Sequence, residues 1–128
     1  MDANLDVARA LANASGGGDI RDPAVLDRIW TTWVDEWSST PDAERDDPNP
    51  YINAVGLAIG QILVDRLGLR WTIATDADGT EMAVHGQPGD VLVYPANLVA
   101  KRFDTRETGF LEPVLAGIEE RVRSLKSG

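Results

Sequence analysis

Asn49-Pro50-Tyr51-Ile52-Asn53-Ala54-Val55-Gly56-Leu57-Ala58-Ile59-Gly60-Gln61-Ile62-Leu63-Val64-Asp65-Arg66-Leu67-Gly68-Leu69-Arg70-Trp71 reads as a capped, nearly all-apolar helix that runs directly into a strand. Asn49 is a good N-cap, and Pro50 suits the first helical position, where its missing donor would have had no partner. Between Ala54 and Val64 only Gln61 is strongly polar, so apolar side chains cover almost the whole circumference, as in a helix with neighbours on several sides. Gly56 and Gly60 stand four apart on one face. Each costs about 1 kcal/mol relative to alanine unless something fills the notch, which predicts a packing groove. The apolar run is too short for a bilayer, which needs about 20 such residues. Gly68, between Leu67 and Leu69, has the form of a left-handed C-cap.

Leu69, Trp71 and Ile73 then alternate with Arg70, Thr72 and Ala74, the period of a half-buried strand. Asp76-Ala77-Asp78-Gly79 is turn chemistry, and closing the chain there sets Thr75 opposite Thr80, Ile73 opposite Met82 and Trp71 opposite Val84. Gln87-Pro88-Gly89-Asp90 is a second turn, which places Val84 opposite Val93 and Gly86 opposite Val91. Trp71, Ile73, Met82, Val84, Val91 and Val93 therefore share one face, expected to be core. The reverse face carries Arg70, Thr72, Ala74, Glu81, Ala83, His85, Leu92 and Tyr94.

Outward from this centre the patterns are weaker. Leu5, Ala8, Leu11 and Ala12 predict a short first helix, ended by a glycine triplet and with so small an apolar face that loose attachment is expected. Residues 1–19 thus read as an N-terminal helix and Gly-rich linker, and 20–128 as a single domain. Asp22-Pro23 opens a second helix in which Leu26, Trp30, Trp33 and Trp37 form a stripe, predicted to pack in the core against the central helix; the sharper alternative is a stacking platform for a ligand or partner. The acidic stretch from Ser38 to Asp47 is a solvated connector. Pro95 ends the third strand or puts it at an edge, and Leu98, Val99 and Phe103 fit either a fourth strand or a helical turn followed by a strand. The last helix opens near Gly109 with Leu111, Val114, Leu115, Ile118, Val122 and Leu125 as its stripe.

Composition excludes several function classes. Twelve Lys and Arg against 21 Asp and Glu give a net charge of -9 and a pI near 4.4, which repels phosphate backbones and anionic lipid, so neither nucleic acid nor a membrane is an expected partner. Cysteine is absent, which removes disulfides, thiol nucleophiles and thiolate metal sites and fits a reducing compartment. No basic segment leads into an apolar stretch at the start, so a cytoplasmic location is expected. The acids at Asp76, Asp78 and Glu81 lack the spacing of a calcium loop, and Asp42 to Asp47 lack its glycine and distal glutamate. His85 is the only histidine, which eliminates multi-histidine metal sites, and no nucleophile elbow accompanies it. No catalytic residue, metal or cofactor is predicted.

What remains is a surface. In the deduced register Arg70, Glu81, His85, Leu92 and Tyr94 share the outer sheet face, which Leu92 and Tyr94 make more apolar than a purely solvated one. The first expectation is a non-catalytic binding or interaction module that recognises another protein, or a second copy of itself, through this face. The alternative is a small-ligand binder or small enzyme with Glu81 and His85 as acid and base, which needs concavity that a flat sheet lacks.

The set Gly56-Leu57-Ala58-Ile59-Gly60, Leu67-Gly68-Leu69-Arg70-Trp71, Asp76 to Gly79, Val93-Tyr94-Pro95 and Lys101-Arg102 resembles a bacterial family, the domain of unknown function 3806. The resemblance covers roughly Tyr51 to Phe103. It implies a small cytosolic α+β domain and carries no activity that could be transferred. The fold expected is α+β: a small antiparallel sheet of three to four strands with α-helices packed mainly on one face. Its core should hold Trp30, Trp33, Val55, Ile59, Leu63, Trp71, Ile73, Val84, Val93, Ile118 and Val122.

Overall fold

The computed structural model describes residues 2–14, 16–76, 79–86 and 91–127. At its centre, α3 (Asn49–Leu67) is buried along most of its length, as its nearly continuous apolar surface requires. Pro48 holds the cap position and Asn49 is already helical. Its N–H donates to the Asp47 carboxylate at 3.0 Å, so the start predicted from Asn49 moves by one residue because an acid upstream meets the first free donor. Gly68 ends the helix in the left-handed region (φ 68°), donating its N–H to the Val64 carbonyl at 3.1 Å.

β1 (Arg70–Asp76), β2 (Gly79–Gly86) and β3 (Val91–Val93) form an antiparallel sheet in that order. The register is the one deduced from the turns: Thr75 faces Thr80, Ile73 faces Met82, Trp71 faces Val84, and Val84 faces Val93. The Thr75 and Thr80 hydroxyls hydrogen-bond across the first pair at 3.1 Å. The turn residues Ala77 and Asp78, and 87–90, lie outside the described residues.

The two helical notches receive two different elements. A Cβ added at Gly56 would lie 2.7 Å from Cα and 2.9 Å from N of Ala96, at the start of α4 (Pro95–Asp104). One added at Gly60 would overlap the Trp71 ring, whose Nε1 donates to Gln61 Oε1 at 3.2 Å. The glycines thus exchange helix propensity for close approach of a backbone and of an indole.

Four expectations need correction. The segment after Tyr94 is helix α4 and not a strand: Pro95 cannot donate to a ladder but opens a helix, and Val99 and Phe103, four apart, are both buried by it. The tryptophan stripe of α2 (Pro23–Ser39) is core at Trp30 and Trp33, as expected, but most of its aromatic partners lie outside the central helix. Trp30 meets Phe103 and Phe110 edge-on, with ring centroids 6.1 and 6.0 Å apart, while Trp33 stacks on Tyr51 of α3 at 5.1 Å. The first helix, α1 (Asp2–Ala14), is not loose: Leu5, Ala8 and Ala12 are buried, and with α3 they join one continuous core. Small residues suffice there because they let the helix axes come close.

The fourth concerns the sheet. Ile73, placed in the core by alternation, is 68% exposed, and Met82 opposite it is exposed too. Ala83, assigned to the wet face, is fully buried. Burial therefore changes along the strands as well as across them. In β2 it switches between Met82 and Ala83, because the hairpin tip reaches past the helices that cover its base.

Candidate functional site

Strand pairing brings three of the proposed surface residues into one row: Arg70 of β1 faces His85 of β2, which faces Leu92 of β3. Arg70 is exposed, His85 is half-buried, and Leu92 is 45% exposed, unusual for a leucine unless something covers it. Glu81 is exposed on the same face but two same-face positions from His85, with buried Ala83 between them. At strand spacing that separates their Cα atoms by about 13 Å. Tyr94 is not brought into the row: β3 stops at Val93, and Tyr94 caps α4, half-buried, its carbonyl accepting the Leu98 N–H at 3.0 Å.

Beside Leu92 the surface becomes concave. A groove of about 240 Å³ runs between β3 and α5 (Leu111–Ser127), lined by Val91, Leu92, Val93, Ile118, Arg121, Val122 and Leu125. Three consecutive residues of β3 line it, so it follows the strand's edge. That edge has no neighbouring strand among the described residues. Leu125 on the opposite wall is 40% exposed. Among the described residues that line the groove, Arg121 carries the charge and the others are apolar.

Sequence reasoning missed the residue that fixes this groove's far wall. Asp27, on α2, points both carboxylate oxygens at the free N-terminus of α5: Oδ1 accepts the Leu111 N–H at 2.8 Å and Oδ2 the Glu112 N–H at 2.9 Å. A carboxylate there also meets the positive end of the helix dipole. No local pattern could have revealed it, since the cap is 84 residues away in the chain. Glu119, nearly buried on α5, ties the same helix to α3 through Arg66 at 2.9 Å.

Other concavities lie elsewhere on the surface, two of them close to features already described. One of about 240 Å³ is lined in part by Leu57, Trp71, Pro95 and Met82, the cross-strand partner of the exposed Ile73. The other, about 340 Å³, lies between α1 and α3 and carries Arg9, Asp19 and Arg21. There the Arg21 guanidinium, hydrogen-bonded to Asp19 at 2.8 Å, holds the Asp19 carboxyl below its ordinary range. Among the described residues no cluster of His, Asp or Glu is arranged to hold a metal ion.

Among the described residues, five α-helices and a three-stranded antiparallel sheet, with an apolar groove at a sheet edge, define a small α+β domain. Among the described residues no helix is long and apolar enough to cross a membrane. The profile of the family described as domain of unknown function (DUF3806) matches residues 26–112, from α2 to the opening of α5, and the chain belongs to that family. No curated protein and no solved structure matches it.

Proposed function

We propose that this protein is a non-catalytic interaction module of the cytoplasm that binds a short extended segment of another protein along β3. The observation that carries the reading is the groove between β3 and α5, where Leu92 and Leu125 are exposed on facing walls. An extended segment added to a free strand edge gains main-chain hydrogen bonds, and its alternate side chains enter the flanking groove. The occupant that fits is apolar with a carboxylate, because Arg121 is the cation it would meet. Arg70 and His85, next to Leu92 in the row, extend the same surface across the sheet.

The test is selection of displayed random peptides on the immobilised protein, followed by titration of the enriched sequences. Enrichment of alternating apolar segments with an acidic residue is expected, with binding lost in Leu92→Ser/Leu125→Ser and amide shifts confined to β3 and α5. Thermal stability should hardly change in that variant, since both side chains are already partly in water. Enriched peptides that bind the double variant as well as the parent would overturn the reading. So would a small metabolite that raises the melting temperature through Glu81 and His85, which would favour a ligand-binding outer face.

A further inference from the structure

The opposite edge of the sheet carries a separate message. Among the described residues β1 pairs only with β2, so no strand lies beside its outer edge over seven residues, Arg-Trp-Thr-Ile-Ala-Thr-Asp. Exposed edges in soluble proteins are normally blunted by proline, inward charge, a bulge or shortness, because an open row of backbone donors and acceptors recruits further strands. This edge has none of those devices. Its interior from Trp71 to Thr75 is uncharged and rich in β-branched residues, and its midpoint, Ile73, is the most exposed of the large apolar side chains.

We infer that β1 pairs antiparallel with β1 of a second copy, about a two-fold axis at Ile73, to make one continuous six-stranded sheet. Centring the ladder there places Ile73 against its counterpart, Thr72 against Ala74, Trp71 against Thr75, and Arg70 against Asp76. The strand is self-complementary in charge, with a base at one end and an acid at the other. A slip of two residues in either direction loses the Arg70–Asp76 match and shortens the ladder by two positions. On the α3 face, the pairing also lines up Met82, Ile73, Ile73 and Met82 across four strands, joining two exposed apolar side chains per copy into one row.

The helices leave room for it. α3 covers the sheet at Trp71, through the Gly60 notch, and leaves Ile73 bare. In the paired sheet the two Trp71 residues lie four steps apart along the strands, about 13 Å. Two helices packed side by side need only about 8–10 Å between axes.

The experiment is sedimentation equilibrium of the full chain over a concentration series, with five variants. Wild type should approach twice the 13.9 kDa chain mass as concentration rises. Ile73→Lys, R70D and D76R should each lose the dimer while keeping the parent circular-dichroism spectrum. R70D/D76R should regain it, and an equimolar mixture of the R70D and D76R proteins should form a mixed dimer, since each supplies the charge the other now needs. A single-chain mass for wild type throughout, a dimer that survives Ile73→Lys, or failure of both charge rescues would overturn the inference. Leu92→Ser/Leu125→Ser should leave the dimer intact. Loss of the dimer in that variant would assign self-association to β3 and likewise overturn the pairing through β1.

Discussion

Replacing Gly56 or Gly60 by alanine sets two effects of opposite sign against each other. In an exposed helix interior the change stabilises by about 1 kcal/mol, through propensity alone. Here a Cβ at Gly56 would sit 2.7 Å from the Ala96 Cα, where carbon atoms prefer about 3.5–4.0 Å, so the start of α4 must retreat by about 1 Å. The obstacle is backbone, which cannot swing aside, so the upper part of the usual overpacking range, about 3 kcal/mol, applies. The net effect expected for Gly56→Ala is destabilisation by about 2 kcal/mol, or about 8 °C in melting temperature for a domain of this size. At Gly60 the obstacle is the half-buried Trp71 ring, held by one 3.2 Å hydrogen bond, which can rotate outward. A net loss of about 1 kcal/mol is expected there. Urea denaturation, followed by far-UV circular dichroism, measures both. The decisive comparison is Gly60→Ala in a Trp71→Leu background, where the ring is gone and the substitution should become stabilising by about 1 kcal/mol. If Gly60→Ala is equally destabilising with and without the indole, the notch does not exist to admit Trp71.

Other perturbations test the remaining links. Asp27→Ala should cost about 1–2 kcal/mol in urea unfolding, because two N–H groups of α5 lose a charged acceptor, and Asp27→Asn should recover part of it. Glu119→Gln should cost about 1 kcal/mol and not several, since Arg66 is half-exposed and can turn its charge to water; a double-mutant cycle with Arg66→Ala isolates the pair. The Asp19 carboxyl, held low by Arg21, contributes stability above the ordinary carboxylate range near pH 4 and loses it as pH falls through the lowered folded value. Because the pair is fully exposed the effect on melting should be small, but a carboxyl NMR titration should show the lowered value, and Arg21→Ala should return it to normal.

Features set by neighbours in the chain were legible without coordinates. The extent of α3, its left-handed stop at Gly68 and the full register of the sheet follow from cap chemistry, turn residues and side-chain alternation, all of which act within a few residues. The row Arg70, His85, Leu92 was legible for the same reason, since register alone creates it. Tyr94 was lost from that row because Pro95 opens a helix immediately after it, and Leu98, Val99 and Phe103 fit a strand pattern nearly as well as a helical one.

Alternation says which side of a sheet a residue is on, but only the length and placement of the covering helices say whether anything is there. That is why Ile73 and Met82 came out bare and Ala83 buried. The partner of each glycine notch, the aromatic neighbours of Trp30 and Trp33, the capping of α5 by Asp27 and the groove beside β3 all join segments far apart in the chain. Local free energies therefore determined the elements and their pairing. Tertiary packing alone decided which faces stay wet, because burial is settled between elements and not within them.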